Sequence, residues 1–187
     1  MPRRRVVLAV VPAGLLLLAL CLAPATFSAF SSGTDNGNST FNAGSVSLGD
    51  DDAGAAMFTV NSLQPGSTGS RCIAVTYTGS LPAQVRMYVS AGDLTGTLAP
   101  YLTLTVTEGA GGGFGSCSGF SAASTAWTGT LDHLASTATG WASGVGSFTP
   151  TANGQVRVYR VVYTLTAGSA AAGRSSQVRL SWEARNT

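Results

Sequence analysis

The chain has 187 residues, of which 44% are hydrophobic and only 10% are charged, and its formal net charge is +2 without a single lysine. Three of its ten arginines lie in the opening MPRRR, and residues 30–187 carry seven arginines against eight acidic residues. The basic balance therefore belongs to the first residues of the chain. This excludes a nucleic-acid footprint on the remainder.

Residues 1–29 have the three zones of a secretory signal peptide: a basic start, an apolar run and the small-residue stretch APATFSA. Two cleavage sites fit this pattern, one after Ala25 and one between Ala29 and Phe30. The apolar run of about 17 residues is interrupted by Pro12 and is at the short limit for a membrane span, so a retained anchor is the weaker alternative. We expect a secreted protein that acts outside the cell or at its surface.

Residues 30–44, FSSGTDNGNSTFNAG, are small and polar apart from two phenylalanines. This composition cannot supply a core of its own. We therefore expect a flexible segment here, which we call the N-terminal arm, followed by one domain over residues 45–187.

Beyond the arm, β-branched and aromatic residues alternate with Ser, Thr and Arg in short runs separated by turn residues. This pattern predicts a single-domain, all-β antiparallel sandwich. We predict strands over residues 45–48, 56–60, 71–77, 84–89, 102–107, 125–130, 156–165 and 177–184. Single helical turns are expected at 98–102 and 131–135, and a loop at 169–173, because no segment sustains helical periodicity over three turns.

The last two predicted strands show the alternation most clearly. From residue 178 to 184 every second residue is apolar, so Val178, Leu180, Trp182 and Ala184 are predicted to face the core. In residues 156–165 the alternation is lost at Arg160, where we expect a bulge or burial on both faces.

Two cysteines, Cys72 and Cys117, follow the predicted signal peptide. In an oxidising compartment such a pair most often forms a disulfide, and closing a loop of about 45 residues would contribute roughly 4 kcal/mol. The alternative is two separate buried thiols. The glycine- and serine-rich sequence FGSCSGF around Cys117 favours the disulfide, because it offers little core in which to bury a thiol.

Catalytic and metal-binding patterns are weak in this sequence. Its one histidine, His133, lies in GTLDHLAS, with no HExxH and no GxSxG nearby. Asp50, Asp51 and Asp52 are consecutive and lack the alternating spacing of a calcium loop, so we interpret them as a charged loop and leave weak divalent binding open. We expect no enzyme activity, no cofactor and no metal site.

One aromatic residue is a candidate ligand contact. Trp141 lies in the glycine-rich stretch TATGWASGVGSF, where an exposed indole could stack on a sugar or a partner surface. This residue supports an alternative function, a monomeric cell-surface adhesion or ligand-binding sandwich.

Several phrases of the sequence occur together in one group of proteins. These are TFSAF, then STFNAGSVSL, LQPGSTGSRCIAVTYTGSLPAQVRMYV, GSCSGF, VYRVVYTL and VRLSWEA. In this combination the chain resembles the TasA/CalY/camelysin family of secreted surface and biofilm-matrix proteins, and within it the actinobacterial-type branch.

The resemblance implies a jelly-roll-like sandwich, cleavage by signal peptidase between Ala29 and Phe30, and self-assembly or association with other surface proteins. Some members of the family assemble into extracellular fibres. Camelysin has been called a metalloprotease, but a single histidine cannot supply a zinc site, so this activity is not carried over. The sequence hypothesis is a secreted, non-catalytic matrix or fibre subunit that assembles by N-terminal strand exchange.

Overall fold

The computed structural model describes residues 44–60, 62–166 and 168–187. These residues belong to one compact unit. The predicted signal peptide, the predicted cleavage residues Ala29 and Phe30, and all of the arm except Gly44 lie outside the described residues. None of the described residues forms a helix with the length and hydrophobicity that a membrane crossing needs.

The described residues form nine strands: β1 (Leu48–Asp50), β2 (Thr68–Tyr77), β3 (Ala83–Tyr88), β4 (Leu94–Gly96), β5 (Leu102–Ala110), β6 (Ser121–Thr130), β7 (Val156–Leu165), β8 (Ser176–Val178) and β9 (Ser181–Asn186). The described helix α1 spans Leu131–Thr137, and short 3-10 turns lie at Ala99–Tyr101, Trp141–Ser143 and Ser169–Ala171. The turns predicted at 98–102 and 131–135 are confirmed, the second as a longer helix.

All strand pairs are antiparallel. The main sheet has the order β1-β2-β7-β5-β6, while β3 pairs with β9 and β4 pairs with β8. The pairs β3–β9, β4–β8 and β5–β7 are nested in the sequence, which is the winding of a jelly roll. The predicted all-β sandwich is confirmed.

The core lies between the inner face of the main sheet and the β3–β9 sheet. Strands β2 and β7 contribute Ile73, Val75 and Val161, and β3 contributes Met87, all at most 2% exposed. Each such side chain stabilises the fold by about 1.5–3 kcal/mol relative to exposure. Helix α1 adds the fully buried Leu134 to the same cluster, so the helix is held by packing rather than by its length.

Strand β7 matches its predicted bounds and is buried on both faces. The consecutive residues Val158 and Tyr159 are 3% and 0% exposed, because the inner face packs on the core and the outer face is covered by the β5–β6 loop. Pairing continues without a shift through Arg160. Burial on both faces therefore occurs at Val158 and Tyr159, just before the predicted position, whereas Arg160 itself is partly exposed. The register shifts lie instead between β5 and β6, at Val106/Thr107 and Glu108/Gly109.

Two strand predictions are wrong, and a third, residues 45–48, is misplaced, because β1 begins only at Leu48. Residues 56–60 form no strand, because the consecutive Met57 and Phe58 both pack against the core and so cannot alternate. Residues 177–184 divide into β8 and β9, since the N–H of Arg179 donates to the carbonyl of Asp93 between them. Val178 consequently does not face the core and is 38% exposed. The short strand β4, which pairs with β8, was not predicted.

Candidate functional site

The predicted disulfide is confirmed. Cys72, on the outer face of β2, is bonded to Cys117 with a Cα–Cα distance of 5.3 Å and a sequence separation of 45. Cys72 is fully buried, whereas Cys117 is partly exposed in the loop between β5 and β6. We call this loop, residues 111–120, the strap, because it reaches from β5 and β6 across β7 to β2.

The three consecutive aspartates end β1 and begin the loop that follows it. Asp51 accepts two backbone hydrogen bonds, from Ala74 of β2 at 2.8 Å and from Phe114 of the strap at 2.7 Å. Asp52 accepts one from the N–H of Gly54 at 2.6 Å. No group of three or more potential metal ligands occurs among the described residues. The structure therefore gives Asp51 and Asp52 backbone-capping roles.

A cleft separates β1, at one edge of the main sheet, from β9, at the edge of the β3–β9 sheet. Its cavity of about 230 Å³ is lined by Leu48, Gly49, Asp50, Val75, Leu180, Ser181 and Trp182. Among the described residues, no ladder joins β1 to β9. The indole N–H of Trp182 is shielded from solvent and has no hydrogen-bond partner in this part of the chain. The cleft thus lies between two unpaired strand edges beside an unused donor.

Asp50 is the acidic residue of the cleft. Partial burial raises the pKa of its carboxyl, and the neighbouring Asp52 raises it further through a hydrogen bond and charge repulsion. A strand or ligand entering the cleft would therefore meet a carboxyl that is easier to neutralise than that of an isolated aspartate.

A second polar cluster surrounds Glu108, which is 0% exposed on the inner face of β5. One carboxylate oxygen accepts the backbone N–H of Ser147 at 2.8 Å. The other accepts the hydroxyls of Ser147 and, at 3.1 Å, Ser124 of β6. The two register shifts of the β5–β6 pair bracket Glu108, a device that re-aims side chains. The carboxylate fastens the loop around Ser147 to the main sheet.

Tyr159 lies directly opposite Glu108 in the β5–β7 ladder. Its hydroxyl is buried and makes no hydrogen bond of normal geometry within the described residues. Burial raises the pKa of Tyr159 far above its ordinary value, and the negative charge of Glu108 adds to the effect. The nearby Arg157 places its guanidinium 5.3 Å from the ring centre of Phe148. These residues form a buried polar cluster that holds the loop around Ser147 to the main sheet, rather than an open catalytic pocket.

Trp141, the predicted ligand contact, is half-buried at the start of a 3-10 turn. Its indole N–H donates to the carbonyl of Gln84 at 3.3 Å, and the guanidinium of Arg185 lies 5.0 Å from its ring centre. Arg185 also donates to Glu183 at 2.7 Å, which lowers the pKa of that carboxyl. Tyr88 donates to the same carboxylate at 2.8 Å. Trp141 therefore belongs to a preformed polar and aromatic network, and its role in ligand contact stays a prediction.

His133 lies exposed on α1, with its ring 5.5 Å from that of Trp127. In the described residues its imidazole is not hydrogen-bonded to a serine, a cysteine or a carboxylate. The expectation that the protein is not an enzyme stays a prediction.

Sequence reasoning found the cysteine pair but missed Glu108 and the cleft. A signal for Glu108 was present, since Leu104, Val106 and Glu108 occupy alternate positions and so share the core face. The cleft had no such signal, because it arises from two strands more than 130 positions apart.

No protein-family model matches the chain, and no curated protein matches it either. The fold and the site define a disulfide-bonded, jelly-roll-like β-sandwich with an open cleft between two sheet edges. Any assignment beyond this class depends on the sequence phrases and the chemistry of the cleft.

Proposed function

We propose that this protein is a secreted, non-catalytic surface or matrix subunit that assembles by N-terminal strand exchange. In this proposal the signal peptide is removed between Ala29 and Phe30, and the freed arm of one copy enters the cleft of the next. The observation that carries the proposal is the cleft between β1 and β9, where two sheet edges lack a partner among the described residues.

The chemistry of the cleft suits an extended peptide. A strand that adds to the free edge of β9 would form backbone hydrogen bonds, and its alternate side chains would fill the cavity. Leu48, Val75 and Leu180 offer apolar surface for such side chains.

By its composition the arm is expected to be a flexible segment, which could add to such an edge. Residues 30–44 contain no proline and a single charged side chain, Asp35, and Phe41 is an aromatic residue that could fill an apolar cavity. The arm leads directly to β1, which lines the cleft of its own copy. Each copy would therefore carry both a donor segment and an acceptor cleft, and head-to-tail assembly requires both on every copy.

The alternative function, a monomeric ligand-binding module, depends on Trp141. The guanidinium of Arg185 already lies over its ring, so a sugar could stack on that face only after Arg185 moves. Glycan-array binding that disappears in Trp141→Ala would favour this alternative over assembly.

Electron microscopy and light scattering of residues 30–187 and 45–187 test the proposal. We expect filaments or oligomers only with the arm. Ser181→Arg, which places a long charged side chain in the cleft, should prevent assembly of 30–187. Ser121→Arg, on the exposed β6, is the matched control and should not. Monomers of 30–187 over a broad range of concentration and pH would refute the proposal.

A peptide of residues 30–44 offers a second test on the arm-free protein. Its binding should change the fluorescence of Trp182 in 45–187, and Ser181→Arg should abolish that change. Trp182→Phe identifies the responsible indole among the three tryptophans of the chain. Binding that persists unchanged in Ser181→Arg would place the acceptor elsewhere.

A further inference from the structure

The strap is fastened across the outer face of the main sheet. The ring of Phe120 lies 4.9 Å from the guanidinium carbon of Arg160 on β7, and Cys117 is bonded to Cys72 on β2. Beneath it, Val158 is only 3% exposed, although its side chain points to the outer face. The strap therefore shields the middle of the sheet from solvent.

The far end of the strap is joined to the end of β1 through Asp51. One carboxylate oxygen accepts the N–H of Phe114 in the strap, and the other accepts the N–H of Ala74 in β2. A Cβ atom at Gly113 would lie 2.5 Å from Asp51, so this close approach requires a glycine. Three residues of β1 pair with β2, and backbone bonds from Thr78 and Ser80 to the preceding Ser47 and Ser45 extend this attachment. Asp51 adds to the attachment at the other end of β1, through its bonds to Ala74 and Phe114.

The strap has little order of its own. Five of its ten residues are glycine, and its internal backbone bonds are a tight turn between Gly113 and Ser116 and one bond from Phe120 to Cys117. Glycine-rich backbone loses much conformational entropy on ordering, so the fastenings determine whether the strap stays in place. The covalent fastening is the strongest of them.

We infer that the Cys72–Cys117 disulfide is a redox latch, whose reduction by a dithiol releases the strap and, through Asp51, loosens β1 while the rest of the main sheet stays folded. This inference concerns a single molecule and does not require assembly through the arm.

The exposure of the two cysteines sets the direction of the reaction. A thiolate of the dithiol attacks the sulfur of the partly exposed Cys117, the S–S bond breaks, and the electron pair leaves on the buried Cys72, which takes a proton. Cys117 is now joined to the reductant by a mixed disulfide. The second thiol of the reductant attacks the reductant's own sulfur in that bond and releases Cys117 as a thiol. Two electrons and two protons have passed to the cysteines, and the reductant has become an internal disulfide.

Hydrogen–deuterium exchange of residues 30–187, with and without dithiothreitol, tests the latch. We expect peptides covering 111–120 and 48–52 to exchange about tenfold faster or more after reduction, since the Asp51 bond to the strap is lost. Peptides from β5 and β7 should keep their protection. In the oxidised protein, Asp51→Ala should accelerate exchange at 48–52 with the disulfide intact, and Asp52→Ala is the matched control that should leave the strap unchanged.

Two results would overturn the inference. Unchanged protection of 111–120 and 48–52 after complete reduction would show that the strap stays in place without its disulfide. Loss of protection in β5 and β7 at the same time would show that the disulfide holds the whole fold rather than a releasable strap. If Asp51→Ala leaves 48–52 fully protected, the link from the strap to β1 is wrong.

Discussion

Replacing Glu108 tests whether the buried carboxylate fastens the loop around Ser147 to the sheet. Glu108→Leu keeps the approximate shape but leaves the partly buried backbone N–H of Ser147 without its acceptor, because leucine has no oxygen to replace the carboxylate. A buried unsatisfied N–H costs about 1–3 kcal/mol, and the two hydroxyl bonds are lost as well. Relief from burying a charge offsets part of this loss. We expect Glu108→Leu to lower the free energy of unfolding by about 3 kcal/mol.

Glu108→Gln is the informative control, because its amide oxygen can still accept the N–H of Ser147. The hydroxyls of Ser124 and Ser147 can rotate to accept from its NH₂ group, so the cost should be only about 1 kcal/mol. Urea denaturation with the disulfide intact measures both variants, and the leucine variant should melt about 10 °C below the parent. A leucine variant as stable as the parent, or a glutamine variant as unstable as leucine, would refute the fastening role.

Three further predictions concern glycine, alkaline pH and acid pH. Gly146→Ala should lower the melting temperature by several degrees, because Gly146 has a φ of +117° and the added Cβ would lie 2.8 Å from Glu108. Gly140→Ala in the same loop is the control and should be neutral, because its Cβ meets open space. The pKa of Tyr159 is higher in the folded protein than in the unfolded chain, where the phenol ionises near pH 10. The resulting stability is complete below about pH 10 and decreases above it, so Tyr159→Phe should reduce the fall of the melting temperature at alkaline pH. The lowered pKa of Glu183 stabilises the fold above about pH 4.3 and is lost on further acidification. Glu183→Gln should therefore cost under about 1 kcal/mol at pH 7 in urea denaturation, and nothing once the parent carboxyl is protonated.

The sequence predicts β7 and β3 best, to within one residue at each end. Strand β7 matches residue for residue, because its Val- and Tyr-rich pattern needs no knowledge of the neighbouring chain. Residues 56–60 have similar composition but sit where Met57 and Phe58 pack on the core without a strand to pair with, so composition misleads there. The division between β8 and β9 depends on the backbone contact of Arg179 with a distant loop, which no local pattern encodes.

The candidate sites also differ in how far the local sequence could predict them. The disulfide could be predicted because two cysteines, in a chain whose sequence predicts secretion, leave few alternatives. The exposure expected for Trp141 from its glycine-rich context is reduced in the fold, because Arg185 and Gln84, both distant in sequence, cover parts of its indole. The cleft requires the relative position of β1 and β9, and the Glu108 cluster requires a loop and three strands to meet. Such features follow from tertiary packing alone.

The two proposals and the Glu108 prediction concern different parts of the fold, and this makes them separable. Strand β1 receives the chain from the arm, lines the cleft and is joined to the strap by Asp51. Glu108 lies on β5 and binds β6 and the loop around Ser147, with no contact to Asp51 or the cleft lining among its hydrogen bonds. Substitutions at Glu108 should therefore change stability while leaving assembly intact at temperatures where the variant is folded. Substitutions that loosen β1 should change assembly with little effect on the melting temperature, because β1 contributes only three residues to the main sheet.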